Sequence, residues 1–451
     1  LTRRIITAIL RLALRVFFRH IEVAGAERVP LDLPVVFVLN HPNGLVDPVF
    51  LLCLAPRNVS FLAKAPLFRM PVVSQLVRSL DSLPVYRRQD KGSDPARNRE
   101  TFEAARALLA RGGTIAICPE GVSHSDTRLK PLKTGAARIA LGAASAGAGL
   151  DVRIVPAGLY YTAKKSFRSS ALLYFGEPLA VERVTLEEDG DPPREAAQAL
   201  SNRIRDALLD ITLNVEHEEP LQLVSRAEKI YSAEERASGR ELNLQRELML
   251  RRRFVEGYAF HREHQPERLA RLVSRLHRYE EELKQAGLDP HELSPPASTR
   301  AVVKHLLRRL CFFLLLLPFA VTGAVIHYPV YRLTGFLTTG VLKVEDDVVS
   351  TFKIMGAMLL FPLTWIAVAV VCYFRLGWLW ALGSLLIVPP SGLVAIRFSE
   401  EWENFVGGAT AFVYFIKRRW FFNRLLVERR AIREEIEALG DEAQRAPVET
   451  A

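Results

Sequence analysis

The sequence predicts an α/β domain with a mixed, largely parallel sheet, followed by a helical region and C-terminal transmembrane helices. Three observations predict it. Residues 21–183 alternate strand-like apolar runs with helix-like segments, the pattern of a largely parallel sheet. Residues 195–288 carry strong helical periodicity with dense charge. Residues 354–374 and 376–396 are uncharged and each long enough to cross about 30 Å of hydrocarbon.

The 451 residues allow two to three domains, and the formal charge of +10 suits nucleic acid, an anionic membrane face or phosphorylated substrates. The apolar residues concentrate in uncharged runs toward the C-terminus, so the lipid bilayer is the expected partner and nucleic acid is not. Cys53, Cys118, Cys311 and Cys372 stand far apart without a C-x-x-C pair, which argues against zinc and a disulfide framework.

Residues 1–20 read as an amphipathic, membrane-associated helix. Arg4, Arg11, Arg15 and Arg19 fall near one face, and Ile5, Ile9, Leu12 and Val16 fall opposite. Arginines interrupt the apolar part and no small-residue cleavage site follows, so a secretory signal is not expected. Packing on the protein's own core is the alternative.

Within residues 21–183, strands are expected at 35–39, 59–63, 114–118, 153–159 and 171–175, and a helix at 99–111 that stops at Gly112-Gly113. The strand at 35–39 leads into Asn40-His41-Pro42-Asn43-Gly44, a turn, and then Asp47-Pro48, which reads as a helix cap followed by proline. His41 therefore falls at the carboxyl end of a strand, where open α/β sheets present their chemistry. If the turn folds back, Asp47 can accept one imidazole N–H and raise the basicity of the other nitrogen. His41 is then a general base, an effect worth about 10²–10⁴ in rate. A capping Asp and an ordinary turn His remain the alternative at this point.

Three more stretches place polar groups after strands. Tyr86-Arg87-Arg88, with Lys64 upstream, offers guanidinium forks suited to a phosphate, or a solvated loop. Cys118-Pro119-Glu120-Gly121-Val122-Ser123-His124 sets a carboxylate in a fixed, exposed position fit to accept a substrate hydroxyl, or is a plain turn. Val155-Pro156-Ala157-Gly158 would let substrate approach the backbone.

Taken together, His41-Pro42-Asn43-Gly44-Leu45-Val46-Asp47, Val85-Tyr86-Arg87-Arg88, Cys118-Pro119-Glu120-Gly121 and Ile154-Val155-Pro156-Ala157 resemble the four ordered sequence blocks of the phospholipid/glycerol acyltransferase family. That family's first block usually has four residues between His and Asp, and this one has five. The extra residue, the wording after Cys118 and Pro131-Leu132-Lys133-Thr134-Gly135 resemble the fungal glycerol-3-phosphate and dihydroxyacetone-phosphate acyltransferase branch.

The resemblance implies an acyltransferase-like domain over residues 21–183. In it, His41 deprotonates an acceptor hydroxyl and Asp47 orients the ring. Arg87 and Arg88, helped by Lys64, bind the acceptor phosphate; Glu120, Gly121 and Ser123 hold its glycerol part. The donor is acyl-CoA or acyl-ACP, with no metal or bound cofactor. The expected acceptor is glycerol-3-phosphate or dihydroxyacetone phosphate, with lysophosphatidate as the alternative. A non-catalytic lipid-binding scaffold is the alternative from another class. A hydrolase is set aside, because Ala143-Ala144-Ser145-Ala146-Gly147 is a degenerate elbow in a small-residue helix. Cys118 stands where the family often has Phe and reads as a small core residue.

Beyond these blocks, residues 187–193 and 288–296 read as linkers around a charged helical region at 195–288. A membrane domain is expected at 300–430 and a polar tail at 431–451. Two to three hydrophobic segments are expected there: residues 310–326, shorter and interrupted by Pro318, are open to spanning, re-entering or lying shallow, and the topology expected is two full spans plus one re-entrant or interfacial segment. Lys304, Arg308 and Arg309 before it, and Lys417, Arg418 and Arg419 after the last span, predict both flanks and the catalytic domain on the cytoplasmic side.

Overall fold

Strand β2 (Val35–Leu39) is the centre of the catalytic half, and all five of its side chains are fully buried. A run without a polar residue can only sit between two covered faces, which is the position of a central parallel strand. The computed structural model describes residues 2–70, 73–87, 90, 94–146, 150–215, 218–237, 243–290, 293 and 299–445. It divides into two compact units, Leu1–Glu216 with Val344–Ile354, and His217–Lys343 with Met355–Ala451.

In the first unit, eight strands form one sheet. They are β1 (His20–Ala24), β2, β3 (Ser60–Lys64), β4 (Leu83–Val85), β5 (Thr114–Ile117), β6 (Arg153–Tyr161), β7 (Ser170–Phe175) and β8 (Leu179–Ala180). Their order is β1-β7-β6-β2-β5-β3-β4, with β8 beside β6. β6 runs antiparallel to β7 and β8; the other pairings are parallel, so the mixed, largely parallel sheet is present. β2 pairs with β5 through Val38↔Ile117 and with β6 through Leu39↔Ala157. The carboxyl ends of β2, β3, β4, β5 and β6 therefore share one edge.

Helices α1 (Thr2–Phe17), α2 (Val46–Leu54), α3 (Val73–Ser79), α4 (Asn98–Ala110), α5 (Gly135–Ser145) and α6 (Arg194–Ile211) complete this unit. α1 buries Leu14 and Phe17 against Phe18 and the sheet, and Arg11 donates to the Cys53 carbonyl at 2.5 Å. Ile5, Ile9 and Leu12 stay exposed, so one helix both packs on the core and presents an apolar face outward. α6 belongs here and not to the separate charged region expected at 195–288. It lies against β6 because Gly158 has no side chain: a Cβ there would come within 2.5 Å of the Ile211 carbonyl oxygen. Gly158 thus admits a helix end, and not a substrate as its sequence context suggests.

In the second unit, α7 (Glu218–Ala237), α8 (Leu244–His264), α9 (Pro266–Ala286) and α13 (Arg419–Arg445) share an apolar core of Ala227, Ile230, Leu272, Leu276, Ile432 and Ile436. Arg275 bridges α9 to Glu428 and Glu435 of α13. The expected membrane flank and polar tail are largely this packed helix, whose apolar stripe meets the 218–286 helices.

Among the described residues, three helices are long and apolar enough to cross a membrane: Val302–Val341, Val349–Leu376 and Trp378–Lys417. The first replaces the expected short segment. Pro318 and Pro329 lie inside the continuous helix α10 (Thr299–Phe336), as membrane helices tolerate. Gly377, at φ 95°, separates α11 (Val349–Leu376) from α12 (Trp378–Lys417), and the exposed Tyr373, Phe374, Trp378 and Trp380 beside it suit the headgroup layer. His327 ties the bundle. Its Nδ1–H donates to the Gly323 carbonyl at 2.8 Å and its Nε2 accepts from the Trp365 indole at 2.9 Å.

Replacing Gly158 by Ala is expected to cost about 1–3 kcal/mol by overpacking. A lower thermal midpoint of the purified protein checks this, and an unchanged midpoint would contradict the seating of α6 on β6.

Candidate active site

The site is built on a short exit from β2. Asn40 extends the ladder to β6 with its side chain: its Oδ1 accepts from the Leu159 N–H at 2.8 Å and its Nδ2 donates to the Leu159 carbonyl at 3.0 Å. The chain then turns through Gly44, at φ +46°, a conformation that side chains resist. The turn returns Asp47 to His41.

Asp47 is fully buried and accepts three hydrogen bonds. The donors are His41 Nδ1 at 2.9 Å, the Asn43 N–H at 2.7 Å and the Tyr161 hydroxyl at 2.6 Å. It is not the helix cap that its Asp-Pro context suggests. α2 begins one residue earlier, and the carboxylate reaches back into the turn instead. A buried carboxylate would be costly without such donors. With Nδ1–H committed to Asp47, Nε2 is the imidazole nitrogen able to take a proton. Burial opposes protonation of His41, but the neighbouring Cys118 sulfur and the Asp47 carboxylate outweigh it and hold its pKa well above the usual value. Burial, with the Asp47 charge, pushes the Tyr161 hydroxyl well above its usual value, so it stays a donor. Cys118 is half-buried beside the ring, packed against the core.

Glu120 differs from its expected exposed position. It is buried, and its carboxylate accepts the His41 N–H at 3.1 Å, the Lys130 N–H at 2.8 Å and His124 Nε2. It therefore braces the 118–126 loop against the His41 turn, with a further bond from the His124 N–H to the His41 carbonyl at 3.2 Å. Ser123 is also engaged, donating to the Asp347 carboxylate.

Arg87 forms a bidentate pair with Asp90, at 3.0 and 2.7 Å, and donates to the Gly121 carbonyl at 2.9 Å. Its fork grips the protein's own carboxylate and so is less open to a phosphate than its sequence position suggests. The Arg87 hydrogen bonds hold the Asp90 carboxyl below the usual range against burial, aided by the charges of Lys64 and Lys133. Gly121, at φ +72°, leaves room for Lys133: a Cβ there would lie 2.5 Å from its Nζ. Lys64, exposed at the end of β3, and Lys133 are thus cations gathered at this edge. Arg88 lies outside the described residues.

Sequence reasoning missed Tyr161, Lys133 and Lys164 as site members. Lys164 donates from Nζ to the Pro42 carbonyl at 2.8 Å, inside the catalytic turn. Tyr161 ends β6, just past the strand expected at 153–159 and at the edge already occupied by His41, a signal that could have found it.

The sheet edge thus brings a histidine–aspartate pair beside gathered cations, and two family models match the chain. The acyltransferase family model matches residues 20–160, and the glycerol-3-phosphate acyltransferase 2 C-terminal domain model matches residues 223–444. By these two matched regions the chain is similar to the fungal-type glycerol-3-phosphate acyltransferases.

Among its relatives, glycerol-3-phosphate O-acyltransferase 2 of Saccharomyces cerevisiae is 27% identical over 60% of this chain and 38% of the relative. Glycerol-3-phosphate O-acyltransferase 1 of the same yeast is 26% identical over 80% of this chain and 60% of the relative. An uncharacterized acyltransferase of Schizosaccharomyces pombe is 24% identical over 81% of this chain and 68% of its own length. The chain thus spans well under two thirds of the first of these and somewhat less than two thirds of the second. A solved 1-acyl-sn-glycerophosphate acyltransferase from Thermotoga maritima is 20% identical, covering 45% of this chain and 80% of that chain, with a TM-score of 0.32.

A raised pKa keeps the His41 ring protonated to higher pH, so its base form appears only as pH climbs through that value. Histidine NMR of the full chain is expected to find His41 titrating above 6.5. Asp47→Asn should bring that titration down, and an unchanged value would contradict the pairing.

Proposed function

We propose that the protein is a membrane-bound O-acyltransferase that moves a fatty acyl group from acyl-CoA or acyl-ACP to glycerol-3-phosphate or dihydroxyacetone phosphate. One observation carries the reading. A histidine backed by a buried carboxylate stands at the same sheet edge as Lys64, Lys133 and Arg87.

The chemistry follows from that placement. Nε2 of His41 takes the proton of the acceptor hydroxyl, and the oxygen attacks the thioester carbonyl. The tetrahedral intermediate collapses, the C–S bond breaks, and the imidazolium returns its proton to the leaving thiolate. Asp47 stabilises the imidazolium through the Nδ1 bond. Lys64 and Lys133 supply the charge to hold a phosphate, with Arg87 shaping the loop through Asp90. The thioester is already activated, so the reaction needs neither metal nor bound cofactor. The match to the glycerol-3-phosphate acyltransferase 2 C-terminal domain supports the small acceptor over lysophosphatidate.

The catalytic unit is proposed to face the cytoplasm. The three helices long and apolar enough to cross a membrane support its place at a bilayer.

Purified protein should release free CoA from acyl-CoA when glycerol-3-phosphate is added, and His41→Ala should abolish that release with the thermal midpoint retained. Release without acceptor would point to a hydrolase, and none with any acceptor to a scaffold. Lys133→Ala should raise the acceptor KM about tenfold, the loss of one charged hydrogen bond, with little change in kcat. A rise in the donor KM instead would reassign Lys133.

A further inference from the structure

The 41–47 turn does not stand alone. Val344–Ile354, the link between the first two apolar helices, folds onto it within the catalytic unit. Gly44 lies so close that a Cβ there would meet Val348 Cγ1 at 2.8 Å and the Asp347 carbonyl oxygen at 3.0 Å. The buried Asp347 takes the Ser123 hydroxyl, and so joins the link to the 118–126 loop.

The 161–166 stretch is tied in as well. Ser350 donates to the Lys164 carbonyl, Lys353 donates to the Lys165 carbonyl at 2.8 Å, and the Lys165 ammonium pairs with Asp346. Lys164 itself points inward. Its ammonium holds the Pro42 carbonyl, within the fields of Asp47, Asp347 and Asp346. Three residues before it, at the end of β6, Tyr161 reaches Asp47.

We propose that Lys164, braced by the Val344–Ile354 link, is a positioning residue for acyl transfer, fixing the His41–Asp47 turn in its reactive shape. The inference rests on the transferase reading above. The Pro42 peptide carbonyl that Lys164 holds is one residue from the base. Displacing a base by about 1 Å costs on the order of a hundredfold in rate. The link closes over the outside of the turn while Lys164 holds it from the inside. Lys164 touches none of the reacting atoms, so its effect falls on turnover and not on acceptor binding.

The test compares four variants of the full chain, with glycerol-3-phosphate and acyl-CoA as substrates and thermal midpoints recorded. Lys164→Met should lower kcat by on the order of a hundredfold with the acceptor KM nearly unchanged, and Lys164→Arg should recover much of it. Gly44→Ala should lower kcat through its collision with Val348, and Gly44→Ala with Val348→Ala should restore part of the loss. Wild-type kcat in Lys164→Met, or a double variant no better than Gly44→Ala, would overturn the proposal. Should Lys164→Met fail to fold, the Gly44 and Val348 pair still decides. Activity surviving in His41→Ala would instead overturn the transferase reading, a different result from an intact Lys164→Met beside a dead His41→Ala.

Discussion

The site depends on one buried carboxylate. Asp47 has no exposure to water, and three donors from three places converge on it. One is the imidazole it serves, one is the backbone of its own turn, and one is a tyrosine at the end of a neighbouring strand. Remove the carboxylate and the three donors lose a common partner, so the geometry of the turn and the basicity of the ring are one property. The fold serves this point: β2 is central and apolar, and its exit is pinned to β6 by the Asn40 side chain.

The second structural theme is that the polar groups of the site brace one another. Glu120 clamps the His41 backbone, Arg87 is spent on Asp90, and Ser123 is spent on Asp347. Among the described residues, Lys64 and Lys133 are the cations at this edge offered to an anionic ligand. A lysine suits that duty, since it binds phosphate as a point charge and gives up less geometry than a guanidinium already committed to a fork.

Much of the fold was legible in the sequence. Alternating apolar runs placed the β2, β5, β6 and β7 strands within a residue or two, because each is bounded by turn residues or charge. His41 and Asp47 were legible because they lie six residues apart across a turn. Asp47 as a cap was a misreading, since local sequence does not show where a carboxylate reaches. Arg87 was read as open because its partner Asp90, three residues on, was not weighed as one. Lys164 and Asp347 were not legible as site members: 122 residues separate Lys164 from Pro42 and 224 separate Ser123 from Asp347, and only the folded chain brings them together. Residues 310–326 were read as short because Pro318 breaks soluble helices. In an apolar bundle a proline is tolerated within a continuous helix, and here the Thr322 hydroxyl donates to the Pro318 carbonyl at 2.8 Å.

The central claim is that one acceptor molecule is held by the gathered cations while its hydroxyl meets the histidine. The most direct measurement is an experimental structure of the full chain in lipid with glycerol-3-phosphate bound. The account predicts the phosphate beside Lys64 and Lys133, and a hydroxyl within hydrogen-bond reach of His41 Nε2. A phosphate bound elsewhere, with His41 facing no hydroxyl, would contradict it.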